Sequence, residues 1–216
     1  MRLTNRWNRF VYRLWSPIYD GLFDRFFAAP GRRRAMQLLA LRPGERVLLV
    51  GVGTGADLPL LPAGVCAVGL DLSPDMLARA QAKLPLVGRD VTLVQGDAQA
   101  LPPGMEGFDA AVLHLVLSVV PDGTACLQET LRALRPGGRA VIFDKFAPDG
   151  GRLTLGRRLV NLVTTLAGTD ITRRFGDMAA QSDCVKVHDE PSLLRGAYRV
   201  ILIQKPIDAD DKGNAP

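Results

Sequence analysis

Short apolar runs alternate along the chain with segments in which apolar residues recur every three or four positions. The short runs predict five strands, near residues 47–50, 66–70, 91–95, 110–113 and 140–143. The segments with the longer repeat predict helices at about 31–41, 56–61, 74–84 and 124–134. Strands that alternate with helices are typical of an α/β fold, in which helices cover both faces of a parallel sheet.

Residue types at the ends of two of these helices support the assignment. Ser73 can cap the third helix, Pro74 stands at its first position, and Asp75 lies in its first turn. The fourth helix carries leucines on one face and is predicted to stop at the sequence RPGG, residues 135–138.

The C-terminal part of the chain has a different pattern. Two strand-like runs, VKVHDE at 185–190 and YRVILIQ at 198–204, are separated by only a short link. They predict a hairpin, so the last strand should be antiparallel to its neighbours and complete a seven-stranded, mostly parallel sheet. The predicted organisation is an N-terminal segment over 1–34, one domain over 35–207, and a polar, disordered tail over 208–216.

Composition agrees with a single globular domain, since the chain has 216 residues, of which 47% are hydrophobic and 23% charged. Three cysteines without C-x-x-C spacing and two histidines argue against a disulfide framework or a metal site, and they favour a reducing compartment. The longest nearly unbroken apolar run, residues 110–120, is too short to span a bilayer. The N-terminus has arginines but no apolar run of the kind a signal peptide needs, so none is expected.

Positive charge is concentrated at the N-terminus. Residues 1–34 hold eight arginines against two aspartates, whereas the other 182 residues hold 19 basic and 20 acidic groups. On a helical wheel, one arc is apolar and the adjacent arc is basic; the apolar residues are Leu3, Trp7, Phe10, Val11 and Leu14, and the basic ones are Arg2, Arg6, Arg9 and Arg13. This pattern predicts an amphipathic helix that lies on an anionic phospholipid membrane surface. The alternative is a helix that only caps the active site.

A glycine-rich loop follows the first predicted strand in the sequence VLLVGVGTG, residues 47–55. Gly51, Gly53 and Gly55, with Thr54 between the last two, let the backbone approach a ligand beside a helix N-terminus. Asp71 ends the second strand, 20 residues after Gly51, where a carboxylate can accept from both ribose hydroxyls. These residues predict a nucleotide site but leave a dinucleotide and S-adenosylmethionine as alternatives.

Three further features favour S-adenosylmethionine. The sequence QGDAQALP places Asp97 and the small Ala98 directly after the third strand, where an acid can accept from the adenine amine. Pro59 and Pro62 shorten the helix after the glycine loop, whereas a pyrophosphate-binding helix usually continues. The closing hairpin adds the reversed strand.

With these features the chain resembles the class I S-adenosylmethionine-dependent methyltransferases, over about residues 40–205. The motifs that carry the resemblance are VLLVGVGTG, VGLDLSPDMLARA, VQGDAQALP, FDAAVLHLVLSVVPD and LRALRPGGRAVIFDKF. The resemblance implies a Rossmann-like fold and a cofactor site formed by Gly51, Gly53, Thr54, Gly55, Asp71, Leu72, Met76, Asp97 and Ala98. Many members carry an acid where this chain has Leu49, so the methionine end of the cofactor is left to the backbone of the loop, with Asp57 as a further candidate.

A narrower resemblance covers nearly the whole chain. The sequences YRLWSPIYDGLFDRFFAAPGRRRA, HLVLSVVPD, FDKF, GTDITRRF and HDEPSLLRGAYRVILIQK are similar to those of the bacterial phosphatidylethanolamine N-methyltransferases. This resemblance implies methylation of phosphatidylethanolamine, towards phosphatidylcholine, by a cytoplasmic enzyme attached peripherally to the inner face of the cytoplasmic membrane. The P-x-Y-D start is shared with ubiquinone and menaquinone C-methyltransferases, so a quinone or another small hydrophobic acceptor is the alternative substrate.

Basic residues are the candidates for holding the phosphate of a lipid headgroup. The stretch 144–184 is longer than one crossover helix needs, and it includes Lys145, Arg173 and Arg174. Guanidinium groups suit a phosphate because their donors match its oxygens. A nucleic-acid substrate is not expected, because the fourth strand does not end in an Asn/Asp-Pro-Pro-aromatic motif.

Methylation of an amine requires the loss of a proton. An unperturbed primary amine has a pKa of about 10, so only about one in a thousand is free base at pH 7. His114 follows the fourth strand, and Tyr19 lies in the N-terminal segment that could meet it across the substrate. Such a Tyr–His pair resembles that of the phosphoethanolamine methyltransferases, which makes Tyr19 and His114 the candidate catalytic residues.

Overall fold

The computed structural model describes residues 28–88, 90–149, 161, 164 and 169–207. The predicted N-terminal amphipathic helix and the predicted disordered tail lie outside these residues. The helices are α1 (Ala29–Leu39), α2 (Pro74–Val87), α3 (Gly123–Ala133) and α4 (Phe175–Ala179). The strands are β1 (Arg46–Val50), β2 (Cys66–Asp71), β3 (Asp90–Gln95), β4 (Phe108–His114), β5 (Leu134–Lys145), β6 (Val185–Pro191) and β7 (Tyr198–Gln204).

All seven strands form one sheet in the order β3-β2-β1-β4-β5-β7-β6. The pairs among β1 to β5 are parallel, and β7 is antiparallel to both β5 and β6. The predicted α/β fold with a reversed last strand is therefore confirmed. Helix α1 extends across the boundary predicted between residues 34 and 35, and the proposed division of the chain stays a prediction.

Two apolar clusters cover the two faces of the sheet. Alternate residues of β1 separate between them, since Val47 and Leu49 pack with α1 while Leu48 and Val50 pack with α3 and α4. The same alternation continues through β4, β5 and β7, which is the pattern expected for strands buried on both faces. Helices therefore lie on both faces, as predicted.

The helix predicted at 56–61 is wrong in type and length. The chain forms only a 3-10 turn at Leu58–Leu60 before it extends at Leu61. Pro59 lies within the turn and Pro62 follows it, and a residue that precedes a proline is disfavoured in the helical region. The shortening itself was expected from these two prolines.

The RPGG sequence does not end the regular structure after α3. Strand β5 begins at Leu134, directly after the helix, and includes residues 135–138. Phe108 pairs with Leu134 but Ala110 pairs with Arg139, so three extra residues of β5 form a bulge. Gly137 adopts a positive φ of 74° in this bulge, a conformation that favours glycine.

Helix α1 approaches the sheet most closely at Gly31. A Cβ atom at this position would lie 2.3 Å from the ring of Phe143, which is fully buried in β5. That ring is held between His114 and Tyr198, whose ring centroids lie 6.0 and 5.8 Å away. The absence of a side chain at residue 31 thus sets the position of α1 over the carboxyl end of β5.

We expect the substitution Gly31→Ala to lower the free energy of unfolding by about 1–3 kcal/mol, because the added methyl overpacks the core. Chemical denaturation measures the change. Arg33→Ala, at an exposed position of the same helix, is the matched control and should change stability by less than about 0.5 kcal/mol. Phe143→Leu should partly restore the stability of the Gly31→Ala protein, and a stable Gly31→Ala protein would contradict the packing argument.

Candidate functional site

The predicted site residues of the first five strands meet at one edge of the sheet. The glycine loop follows β1, Asp71 ends β2, Asp97 follows β3, His114 ends β4 and Lys145 ends β5. Because these strands are parallel, their carboxyl ends face the same crevice, which is where ligands bind in open α/β sheets. Tyr19 lies outside the described residues.

The glycine loop combines three positive φ angles, of 66° at Gly51, 54° at Gly53 and 76° at Gly55. The glycines meet different surroundings. A Cβ at Gly55 would contact Leu58 and the Cα of Ala80 at 2.5 and 3.3 Å, so this glycine allows the loop to pack on α2. Among the described residues, a Cβ at Gly53 would meet a single backbone oxygen within 4 Å, at 3.9 Å. Gly53 is therefore the part of the loop whose backbone faces space that a ligand can fill.

Asp71 ties the glycine loop to the next strand. Its two carboxylate oxygens accept from the backbone N–H of Gly53 at 2.8 Å and of Ser73 at 2.9 Å. Burial raises the pKa of Asp71 above its ordinary value, although these backbone donors favour the ionised form. A ligand hydroxyl that reaches this carboxylate would also lie beside Gly53, so the two predicted contacts belong to one cradle.

Asp97 and its neighbours form the adjacent wall. Oδ1 of Asp97 accepts from both the backbone N–H and the side-chain Nε2 of Gln99, each at 2.9 Å. Oε1 of Gln99 accepts from the backbone N–H of Asp122 at 2.7 Å, which joins this wall to the start of α3. Ala98 and Met76 are buried beside it. The sequence does not point to Gln99, because a single glutamine in a polar loop gives no signal.

Three charged or polar side chains from different elements meet beneath the glycine loop. Oδ2 of Asp57 accepts from Nη1 of Arg32 at 2.8 Å, and its Oδ1 lies 2.8 Å from Nδ1 of His114. Burial alone would raise the pKa of Asp57, but the charge of Arg32 and the hydrogen bonds from both partners hold it well below its ordinary value. Nε2 of His114 is buried and has no hydrogen-bond partner among the described residues.

This arrangement changes the expectation for Asp57. Both of its oxygens are engaged within the protein, and the residue is only 6% exposed, so we assign it to His114 and not to the amino group of a cofactor. Leu49 lies in β1 between Gly69 and Val112, in the apolar cluster that covers this face. The sequence pointed to an acid at 57 but not to its partner Arg32, which is 25 residues away.

Lys145 lies at the end of a row of rings that begins at His114. Its Nζ is 5.8 Å from the ring centroid of Tyr198, whose neighbour in the row is Phe143. Burial lowers the pKa of the Lys145 ammonium, and the charge of Asp144 opposes part of this shift. Lys145 is thus a half-buried cation beside the ring of Tyr198, at the other end of this row from the candidate catalytic histidine.

Arg173 fastens the segment around it to the loop that follows β4. Its guanidinium donates to the carbonyl oxygens of Leu117 and of Pro121, the latter at 2.8 Å. The backbone N–H of Asp170 donates to the carbonyl of Ser118 at 2.7 Å in the same contact. Arg173 therefore holds the loop beyond His114 in place, and its predicted contact with a phosphate stays a prediction.

Arg174 lines a neighbouring cleft of about 250 Å³ together with Thr124, Thr172 and Asp177. The cleft lies at the N-terminal end of α3 and beside α4, and Arg173 also lines it. Its two acids, Asp122 and Asp177, reduce its attraction for an anion. The predicted phosphate contact of Arg174 also stays a prediction.

Known protein families and relatives match this chain in sequence. The family described as "Methyltransferase domain" matches residues 48–142. A phosphatidylethanolamine N-methyltransferase of Cereibacter sphaeroides is 42% identical over 144 residues, which are 66% of this chain and 70% of that protein. A demethylmenaquinone methyltransferase of Thermus thermophilus is 32% identical over 189 residues, which are 83% of this chain and 85% of that protein.

Other matches cover a smaller share of the relative or have a lower sequence identity. The match to a demethylmenaquinone methyltransferase of Beutenbergia cavernae, 39% identical, spans 54% of that protein's length. The crystal structure of a putative methyltransferase from Bacillus halodurans has a TM-score of 0.68 at 19% identity, and the alignment covers 82% of this chain and 99% of that one. At this identity the structural likeness shows the fold alone.

No group of three or more His, Cys, Asp or Glu side chains that could hold a metal ion occurs within residues 28–88, 90–149 and 169–207. No helix in that same part of the chain is long and apolar enough to cross a membrane.

We expect Asp71→Ala to weaken the binding of S-adenosylmethionine about 10- to 100-fold, because it removes a charged acceptor from both the cradle and the bound ribose. Isothermal titration calorimetry measures the dissociation constant. Asp75→Ala, an exposed position in the first turn of α2, is the control and should leave the affinity unchanged. Equal affinities of wild type and a folded Asp71→Ala protein would remove Asp71 from the cofactor site.

Proposed function

The chain belongs to the class I S-adenosyl-L-methionine-dependent methyltransferases, and on that premise we propose that it methylates the amine of phosphatidylethanolamine at a membrane surface. The observation that carries the proposal is the 42% identity to a protein named for that activity, over 70% of its length. The product of this reaction lies on the way to phosphatidylcholine.

Methylation of a quinone is the second candidate. It is favoured by the relative from Thermus thermophilus, which is named a demethylmenaquinone methyltransferase and matches over 85% of its length at 32% identity. Both candidates share the cofactor and an acceptor that is carried in a membrane. They differ in the atom that receives the methyl group, which is nitrogen in one and carbon in the other.

The residues at the carboxyl edge of the sheet fit the cofactor. The backbone of Gly51, Gly53 and Gly55 and the carboxylates of Asp71 and Asp97 would hold it, with Thr54, Leu72, Met76 and Ala98 around them. The bound cofactor supplies an electrophilic methyl group on a sulfonium. Orientation of the acceptor and exclusion of water are the main contributions that the protein can add.

An amine acceptor requires a proton acceptor beside it, and His114 is the best candidate among the described residues. It lies at the end of β4, its Nε2 is buried without a partner there, and Asp57 can stabilise the imidazolium that forms. Tyr19 remains a second candidate from the sequence alone. Lys145, beside the same row of rings, together with Arg173 and Arg174, would provide positive charge for the lipid phosphate.

Attachment to the membrane rests on the sequence of the N-terminal segment. Each arginine near an anionic surface contributes about 1 kcal/mol, and each large apolar side chain contributes roughly 1.5–3 kcal/mol when fully buried. Four arginines and an apolar arc are enough for reversible binding. We therefore propose a cytoplasmic enzyme bound peripherally to the inner face of the cytoplasmic membrane.

The purified protein should transfer methyl groups from labelled S-adenosylmethionine to phosphatidylethanolamine in vesicles. A parallel reaction should contain demethylmenaquinone in vesicles of phosphatidylglycerol, which lacks an amine. Mass spectrometry of the extracted lipids identifies the product in each reaction. Because the proposed acceptor is the amine, we expect mono-, di- or trimethylated phosphatidylethanolamine and no methylated quinone.

Expression in cells that lack ethanolamine methylation provides the matching test in vivo, with Asp71→Ala as the inactive control. Appearance of methylated phosphatidylethanolamine only with the wild-type chain supports the lipid substrate. Methylation of the quinone in vitro, with phosphatidylethanolamine unchanged in both experiments, would favour the second candidate instead.

A charge-reversed N-terminus tests membrane attachment separately from catalysis. With glutamate in place of Arg2, Arg6, Arg9 and Arg13, sedimentation with phosphatidylglycerol-containing vesicles at low salt should be lost, since the helix would then be repelled by the anionic surface. Cofactor affinity should be retained, because none of the residues assigned to the cofactor belongs to this segment. Equal sedimentation of both proteins with neutral and anionic vesicles would mean that the segment is only a cap.

A further inference from the structure

The cluster of Arg32, Asp57 and His114 has a more specific consequence for catalysis. Arg32 comes from α1, Asp57 from the turn after the glycine loop, and His114 from the end of β4. The side chains of Arg32, Asp57 and His114 are 12%, 8% and 1% exposed, so the contacts are shielded from bulk water. Three elements of the fold thus converge on one carboxylate beside the cofactor cradle.

The protonation of this cluster follows from hydrogen-bonding capacity. An ionised carboxylate can only accept, and Oδ2 of Asp57 already accepts from Arg32, whose guanidinium remains charged. Oδ1 must then accept as well, so the proton of a neutral His114 lies on Nδ1, 2.8 Å away. Nε2 is left as the unprotonated nitrogen of the ring.

The surroundings of Nε2 argue against a purely structural histidine. This nitrogen is buried and has no hydrogen-bond donor among the described residues. A buried acceptor without a partner destabilises the folded protein. An apolar side chain at position 114 would avoid that loss, as at Val112 two residues earlier on the same face. A ligand that brings an N–H or O–H group to Nε2 would satisfy it.

We propose that Asp57 is a positioning residue, which holds His114 in the tautomer whose Nε2 accepts the proton of the methyl acceptor, and that Arg32 fixes the orientation of the Asp57 carboxylate. The inference rests on the proposed function in taking the acceptor to be an amine. The ammonium transfers one proton to Nε2, and the freed lone pair forms the new N–C bond. The electron pair of the broken S–C bond stays on sulfur, and the imidazolium later releases its proton to water.

Asp57 stabilises the imidazolium in this scheme as well as selecting the tautomer. Among the described residues, the charged groups that contact His114 and Asp57 are those of the cluster itself: Asp57 at Nδ1 and Arg32 at the far carboxylate oxygen. Strand β5 contributes the ring of Phe143. The positive charge that forms on His114 is therefore in direct contact with the Asp57 carboxylate. This carboxylate separates it from the guanidinium of Arg32. Removal of the carboxylate charge should affect turnover and leave cofactor binding intact.

Nitrogen-15 NMR of the full-length protein with labelled histidine measures the tautomer directly. The chain contains only two histidines, and His188→Gln assigns their signals. At a pH high enough for neutral imidazoles, His114 should show a protonated Nδ1 and an unprotonated Nε2. His188 is an internal contrast, because its Nε2 lies 2.8 Å from Oε2 of Glu190 and should carry the proton instead.

Asp57→Asn changes the hydrogen-bonding pattern with almost no change in shape. Arg32 should donate to the amide oxygen of the new asparagine, so that the amide nitrogen faces Nδ1 and donates to it. The proton of the neutral histidine then lies on Nε2. We expect the kcat of this variant on phosphatidylethanolamine vesicles to fall by about 10²–10⁴-fold. KM and the dissociation constant of S-adenosylmethionine should change by less than about threefold. Arg32→Gln, which keeps the carboxylate, should retain the wild-type tautomer and lose less activity.

The outcomes separate this inference from the choice of substrate. A wild-type His114 with its proton on Nε2, or an Asp57→Asn protein with the wild-type tautomer, would overturn it. Equal kcat values for wild type and a folded Asp57→Asn protein would also overturn it. If the wild-type protein does not methylate phosphatidylethanolamine, the lipid assignment and the proton transfer from an ammonium are overturned. The tautomer of His114 and its dependence on Asp57 are tested separately, because the NMR measurement needs no lipid.

Discussion

The buried carboxylate of Asp57 is the constraint on which the site depends. It joins α1, the turn after the glycine loop and the end of β4 through two contacts of 2.8 Å. A buried charge is tolerated only when its hydrogen-bonding capacity is filled, and loss of one partner from such a pair typically costs about 3–5 kcal/mol. The catalytic candidate His114, the glycine loop and the first described helix therefore cannot move independently of one another.

Close packing of α1 against Phe143 also fixes the position of His114. Gly31 lets α1 rest directly on the ring of Phe143, and that ring contacts His114 edge to face. Arg32 is the next residue of α1, so the contact that positions the helix also delivers the guanidinium to Asp57. Because packed interiors deform little, a shift of α1 at residue 31 would be transmitted to the carboxylate and to the imidazole. Packing and electrostatics thus specify one arrangement.

The sequence predicted the parts of the fold and site that depend on local signals. The strands, the reversed β7 and the cap at Ser73 follow from periodicity and residue type, and all are present. Helix α3 ends at Ala133, just before RPGG, as predicted. The bulge at 135–138 was not predicted, because proline and glycine mark a break without indicating whether a strand pairs across it. The role of Asp57 could not be predicted, since it depends on Arg32 and His114, which lie 25 and 57 residues away. Arg173 was predicted to contact a phosphate, and this stays a prediction. Its contacts with two carbonyl oxygens could not be predicted, because these lie 52 and 56 residues away in the sequence.

Leu49 becomes understandable once the position of Asp57 is known. Residue 49 is 2% exposed, and it lies in the same apolar cluster as Leu58 and Val112, which neighbour Asp57 and His114 in the chain. An acid there, as in many methyltransferases that the sequence resembles, would add a second buried carboxylate to this face of the sheet. A second buried carboxylate on this face would disfavour ionisation of the first, because like charges raise the pKa of each other. Leu49, Leu58 and Val112 are all apolar, so none of them adds a charge to the face on which Asp57 contacts His114. A leucine at this position is therefore consistent with the proposal that the carboxylate of Asp57 positions His114.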